Sequence, residues 1–387
     1  MTIDNFQTRP RVMGVLTGDV KHDPNTRIKY GYFMKAVSQR FRLVGTYDAK
    51  LRGLSRFMSA LITLHTNRRR WREQFYKNEF AFRARSRRAV GYLKSLHDEL
   101  DVVLQMGVLF DAGWNGATWP NIIYTDYTAH LSAQKPLAGR SPFTPQQRER
   151  WLAMERQAFL RAAHICTRSE HVRMSVLSDY DIPPERVTVI GGGVNFSSLP
   201  ELPPKNNREA PTALFIGKDF YRKGGDLLLN AFAQARQQIP EARLLFLTEG
   251  PIPNCYPMDG VELVAPTWNR AVIQDLYRRT DLFVLPSRLE TWGDVLLEAM
   301  AYGLPCIGVS GDAMNEIIQN DHTGFVISPD DVDGLIRALT RLLSDPLLRR
   351  ALGQEARHRV EQDYTWDRVV ERLAPIIQAA GEPSLVY

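Results

Sequence analysis

Two periodicities alternate along this chain. Short apolar runs bounded by Gly, Pro, Asp or Ser read as strands buried on both faces, at residues 11–17, 42–47, 101–105, 121–125 and 163–168, with a last one closing 181–190. Between them apolar residues return every three or four positions, as Tyr32, Phe33, Ala36 and Val37 do within 28–41, and the same spacing predicts helices over 145–163 and 170–180. The alternation resumes with strands at 212–216, 242–247, 261–265, 281–286, 306–309 and 324–327. Helices are predicted among these at 227–237, 269–279, 293–301, 332–343 and 347–362, with a last one at 366–379. Strands alternating with helices imply an α/β fold whose parallel sheets are covered by helices. A chain of 387 residues is long enough for two such domains. The stretch LPELPPKNNREAP, residues 199–211, is proline-rich and polar and reads as the linker between domains over 1–198 and 212–365.

The densest candidate chemistry lies in DLFVLPSRLETWGDVLLEAMAYG, residues 281–303. An apolar strand ends at Pro286-Ser287, and a helix begins near Gly293 with Val295, Leu296, Ala299 and Met300 on its buried stripe. Glu290 sits in the loop and Glu298 a little over one turn into the helix. Between them, around Trp292 to Asp294, the helix start presents unpaired N–H groups and the positive end of its dipole, which suits an anion. A carboxylate on either side of an anion site suits a nucleotide sugar. Its diphosphate faces the N–H groups, its ribose hydroxyls face Glu298 and its sugar hydroxyls face Glu290, with both carboxylates ionised as strong acceptors.

The Glu-x7-Glu pair within E-T-W-G-D-V-L-L-E-A-M-A-Y-G-L-P resembles the donor-site signature of family-four retaining glycosyltransferases with the GT-B fold. The likeness continues through Glu316-Ile317-Ile318 and Thr323-Gly324-Phe325. The resemblance implies two Rossmann-like domains facing a central cleft, with the last helix (366–387) crossing back to the first, acceptor-binding domain. It implies a donor site built from Lys218, Lys223, Thr291, Trp292, Gly293 and Glu298, with Glu290 at the reacting sugar. In the family the loop after the second domain's first strand reads G-R-x4-K-G. Here Lys223-Gly224 matches, and Lys218 replaces the arginine, keeping charge but losing the bidentate fork. Gly18 stands where a glycine pair is usual and reads equally as a donor contact or a turn glycine. Asp126 stands where the family carries a histidine, with His130 four residues on. It reads as a helix cap, as a hydrogen-bond partner for a sugar or acceptor hydroxyl, or as an acceptor-side base.

The implied reaction moves a sugar, with retention, from a nucleoside diphosphate sugar (a UDP-sugar first) to a glycan or lipid-linked acceptor, in cell-envelope, exopolysaccharide or glycolipid synthesis. No cofactor and no essential metal are expected, and the DxD match Asp179-Tyr180-Asp181 reads as a helix-ending turn. The alternatives are a phosphorylase of the same fold taking phosphate as acceptor, and a non-catalytic protein that binds a glycan or membrane.

Charge adds one further hypothesis. The net +6 is unevenly placed, because 50–94 carries 13 Lys or Arg against two acids. The rest of the chain is therefore acidic on balance. Leu54, Phe57, Met58, Leu61 and Ile62 form an apolar stripe there, followed by Arg68, Arg69, Arg70, Trp71 and Arg72. Three readings fit: a solvated face over a buried stripe, an acceptor or anionic membrane surface, and, least favoured, nucleic acid. Three scattered cysteines, no apolar leader and no spanning run predict a cytoplasmic protein with free, buried thiols, either soluble or peripheral on the inner face of the plasma membrane.

Overall fold

A computed structural model describes residues 9–96, 99–135, 143–202 and 210–382. Its contacts divide the chain into two compact units, Met1–Gly191 with Trp366–Tyr387, and Gly192–Thr365. Residues 203–209 of the expected linker lie outside the described residues.

The first unit holds strands β1 (Arg11–Leu16), β2 (Arg42–Asp48), β3 (Val102–Met106), β4 (Asn121–Thr125), β5 (His164–Thr167) and β6 (Val187–Val189). They form one sheet in the order β2-β1-β3-β4-β5-β6, and every recorded pairing is parallel. Helices α1 (Pro24–Thr26), α2 (Tyr32–Arg40), α3 (Gly53–Ile62), α4 (Arg68–Tyr76), α5 (Glu79–Ser95), α6 (Ala129–Gln134), α7 (Pro145–Arg161) and α8 (Glu170–Tyr180) connect them. The helix expected over 28–41 enters through a π-helical turn, Arg27–Gly31. The short α6 was not expected; six residues are too few for a periodic signal. Asp181 ends α8 in the left-handed conformation, φ 53°.

The second unit repeats the plan with β7 (Thr212–Asp219), β8 (Arg243–Glu249), β9 (Val261–Val264), β10 (Leu282–Val284), β11 (Cys306–Val309) and β12 (Gly324–Ile327). Its sheet is again parallel, in the order β12-β11-β10-β7-β8-β9. It carries α9 (Gly225–Gln238), α10 (Arg270–Arg278), α11 (Asp294–Ala301), α12 (Met314–Ile317), α13 (Val332–Ser344) and α14 (Pro346–Asp363). The C-terminal helix α15 (Trp366–Gly381) belongs to the first unit, where Trp366, Val369, Val370, Leu373 and Ile377 pack into the same core as Phe33 and Val37. Most strand residues are buried, which explains why the strands read as apolar runs rather than alternating ones.

Each sheet reverses its winding once. In the second unit β8 lies on one side of β7 and β10 on the other, so the loops after β7 and β10 diverge and leave a crevice at the carboxyl ends of these strands. In the first unit the same reversal falls between β1 and β3.

The basic segment departs in two ways from a solvated face over a buried stripe, one of the three readings of it. The α3 stripe is not buried: Leu54, Phe57, Leu61 and Ile62 are exposed and only Met58 is half-covered. Arg85 is turned inward, donating to the Tyr76 carbonyl at 2.7 Å, and burial lowers its guanidinium to about 10. The thiols also differ from expectation. Cys166 and Cys306 are buried, but Cys255 is exposed.

Candidate functional site

The crevice of the second unit gathers the candidate donor residues through close backbone contact. Gly224 adopts φ +74°, and a Cβ there would fall 2.0 Å from the Pro286 carbonyl oxygen. Only glycine lets the loop after β7 lie so tightly against the loop after β10. Three further bonds join the loops: Arg288 N–H to the Arg222 carbonyl at 2.9 Å, Ser287 Oγ to the same carbonyl at 3.2 Å, and Arg222 Nη1 to the Leu289 carbonyl at 3.0 Å. Arg288 is held in turn by Asp226 and Asp330.

This stitching brings Lys223 from one loop onto Glu290 from the other, and the two form an ion pair with side chains only 13% and 11% exposed. The Glu290 N–H donates to buried Asp312 at 3.0 Å, so backbone and side chain are both fixed. Three residues on, Gly293 caps α11 with φ 109°, a conformation that favours glycine, and the helix runs to Ala301. Thr291 is partly exposed at this turn. Trp292 is not an exposed contact: its ring is 2% exposed and meets Tyr364 edge-on at 5.9 Å. Its buried Nε1–H has no partner among the described atoms.

Glu298 lies one turn into α11 and is 4% exposed. Arg270 Nη2 reaches Glu298 Oε1 at 3.0 Å, and the Tyr277 hydroxyl donates to Oε2 at 3.2 Å. Burial pushes the Glu298 carboxyl above its ordinary range, against the lowering influence of Arg270. Arg270 also donates to the Asn195 carbonyl at 3.4 Å and lies 5.3 Å from the Phe196 ring. A carboxylate has about four acceptor positions, so with these bonds made Glu298 can still accept from a ligand hydroxyl.

Lys218 falls elsewhere. It pairs with Glu249, at the end of β8, at 3.1 Å and sits 3.2 Å over the Trp268 ring. The cations that accompany the two glutamates are therefore Lys223 and Arg270, and Lys218 belongs to a separate, more exposed cluster. Reading the sequence missed Arg270, Tyr277 and Asp312. Arg270 carried a signal: it opens α10 directly after the cap Asn269, where the helix dipole disfavours a cation.

In the first unit, Asp126 follows β4 and pairs with Lys29 at 2.8 Å. Burial opposes its charge, yet Lys29 and the neighbouring Arg168 hold its carboxyl at about 2. The ion pair keeps the Asp126 carboxylate charged and fixes it beside Lys29. Lys29 is pushed above the ordinary lysine range by Asp126, again against burial. Arg168 is buried between the Tyr124 and Trp366 rings, at 5.4 and 5.9 Å. Gly18 is explained by its turn: φ is +137°, its N–H donates to Asp48 at 2.8 Å, and a Cβ would collide with Thr26. His130 lies in α6, 3.6 Å from Asp179. Arg68, Arg69, Arg70 and Arg72 are exposed on α4, and the Trp71 Nε1–H donates to the Ala60 carbonyl at 3.0 Å.

Residues 200–359 match the family described as Glycosyl transferases group 1. Over 336 residues the chain is 26% identical to the D-inositol 3-phosphate glycosyltransferase of Salinispora arenicola, covering 79% of this chain and 72% of that one. Across the first curated relatives the alignments span from 32% to 72% of the relatives' lengths. Among solved structures, a sucrose-phosphate synthase from Thermosynechococcus elongatus superposes over 96% of this chain and 99% of its own, with TM-score 0.66 and 17% identity. Anabaena HepE in complex with UDP-glucose superposes over 96% of this chain and 100% of its own, with TM-score 0.64 and 12% identity. These likenesses show the GT-B fold.

Proposed function

With residues 200–359 placing this chain in the glycosyl transferases group 1 family, we propose that it transfers a sugar from a nucleoside diphosphate sugar to a glycan or lipid-linked acceptor, with retention of anomeric configuration. The observation that carries the reading is the pair of buried carboxylate–cation contacts, Lys223–Glu290 and Arg270–Glu298, flanking the start of α11 at the carboxyl ends of β7 and β10.

The assignments follow from chemistry. The backbone N–H groups at Thr291 to Asp294 and the Lys223 ammonium take the diphosphate, whose charge grows as the glycosidic bond to the nucleotide breaks. Glu298 accepts from the ribose hydroxyls, with Arg270 and Tyr277 fixing its position. Glu290 accepts from the sugar hydroxyls. It is not assigned as a double-displacement nucleophile. Retaining glycosidases place a second carboxyl about 5 Å across the reacting bond, whereas the carboxylate beside Glu290, Asp312, is buried and accepts the Glu290 backbone N–H. The leaving diphosphate oxygen is the base that remains for the incoming hydroxyl, in a same-face substitution. A UDP-sugar is the first donor to test, by likeness to the UDP-glucose complex of HepE. No cofactor or metal enters this scheme. The acceptor side falls to the first unit, with Asp126 and Lys29 at the sheet's carboxyl edge and the basic α4 toward an anionic membrane. The setting is cell-envelope, exopolysaccharide or glycolipid synthesis on the inner face of the plasma membrane.

Calorimetry with UDP-, GDP- and ADP-sugars tests the donor half. One nucleotide class binds, and Glu298→Ala weakens it tenfold or more, the worth of about one charge-assisted hydrogen bond. No binding by any of the three, or equal binding by the variant, overturns the assignment.

A further inference from the structure

We infer that α3 and α4 form a docking surface for an anionic lipid bilayer. The face is built inside out. The one buried residue of α3 is Ser59, while Leu54 is 76% exposed, Phe57 63%, Leu61 54%, Ile62 57% and the following Leu64 70%. Fraying does not account for this orientation. Ser59 Oγ donates to the Phe75 carbonyl at 3.1 Å, Asn78 Nδ2 donates to Ser59 Oγ at 3.0 Å, and Trp71 Nε1 donates to the Ala60 carbonyl at 3.0 Å. These bonds lock the polar side of α3 inward against α4 and leave the apolar side out.

Cations surround the same face. A groove of about 890 Å³ is lined by Phe57, Trp71 and Phe75 together with Arg56, Arg68 and Arg72. Among the described residues no acid pairs with Arg56, Arg68, Arg69, Arg70 or Arg72; Glu73, the acid of α4, pairs with Lys77 instead.

Charge complementarity selects the occupant. A second copy of this chain would set arginines against arginines. Nucleic-acid phosphates would match the arginines but leave four aliphatic side chains and a phenylalanine in water. An anionic bilayer serves both, with headgroups on the guanidiniums and the acyl boundary on the apolar residues. No described helix is long and apolar enough to cross a membrane, so the contact is peripheral. The inference deepens the acceptor side of the proposed function by assigning the membrane from which a lipid-linked acceptor is drawn. Its test uses neither donor nor acceptor, so its failure leaves the transfer reading standing.

Flotation of the full chain with vesicles of phosphatidylcholine and phosphatidylglycerol (7:3) at 50 mM salt is the test. The chain floats with these vesicles, and pure phosphatidylcholine binds at least tenfold less. Phe57→Ser/Leu61→Ser lowers partitioning tenfold or more with an unchanged melting temperature, since both side chains are solvent-exposed. Arg68→Gln/Arg69→Gln/Arg72→Gln lowers it about 100-fold, at roughly fivefold per cation, and flattens its dependence on salt. Failure of the unmodified chain to float, or flotation unchanged in both variants, overturns the inference. A dimer that Phe57→Ser/Leu61→Ser dissociates, with no flotation, assigns the face to a second copy and overturns it equally.

Discussion

Glu290→Gln is expected to lower turnover about 10³-fold while donor affinity changes less than tenfold and the melting temperature little. Glutamine keeps the shape and still accepts a hydrogen bond from Lys223, so the loops after β7 and β10 stay joined through Gly224, Ser287 and Arg222. What it removes is a fixed negative charge, held by Lys223 on one side and by the Asp312–backbone bond on the other. A charge positioned in this way stabilises the electron-poor sugar carbon formed as the diphosphate departs, and a single such electrostatic group is worth 10²–10³ in rate. Positioning of the sugar through its hydroxyls adds to the loss. Donor binding, dominated by diphosphate and ribose contacts, is largely spared. Steady-state kinetics with donor titration separates the two effects. A variant within tenfold of normal turnover removes Glu290 from the mechanism.

Lys223→Met is expected to damage both chemistry and stability. Turnover falls about 10²- to 10³-fold, because the ammonium no longer neutralises charge on the leaving diphosphate. Glu290 would be left buried, at 8% exposure, without its cation. Breaking a pair of this kind by removing one partner costs about 3–5 kcal/mol. The double variant Lys223→Met/Glu290→Gln removes both charges and regains most of that stability, with no gain in turnover. Chemical denaturation and kinetics on the two single variants and the double variant provide the check. Additive stability losses would mean that the two side chains do not form the contact described.

The contrast between the two lysines shows what the sequence could reveal. Lys223-Gly224 was placed by its match to the family motif, and the tight approach that Gly224 permits is the backbone constraint behind that pair. Lys218 lies at the end of β7, just before the Lys223 loop, but its partners, Glu249 and Trp268, come from β8 and from the loop before α10. Only the sheet order β7-β8 brings them near, and spacing along the chain carries no record of it. Tyr277 and Asp312 were hidden for the same reason, while Arg270 left a signal only in its place at the start of α10. The two sheets were readable because their strands are continuous apolar runs. The four-residue α12 and the short α6 were not, because a single turn shows no period. Periodicity placed Leu54, Phe57, Leu61 and Ile62 on one face of α3 without saying which way that face points. Burial of Ser59 against α4 decides it, and that is a tertiary contact.

The most direct test of the central claim is amide hydrogen exchange with and without saturating nucleoside diphosphate sugar. The account predicts protection concentrated in two segments, 218–225 and 290–298, where the Lys223 loop and the start of α11 converge. Protection confined to other segments, with exchange in both of these unchanged by a donor that demonstrably binds, would contradict it.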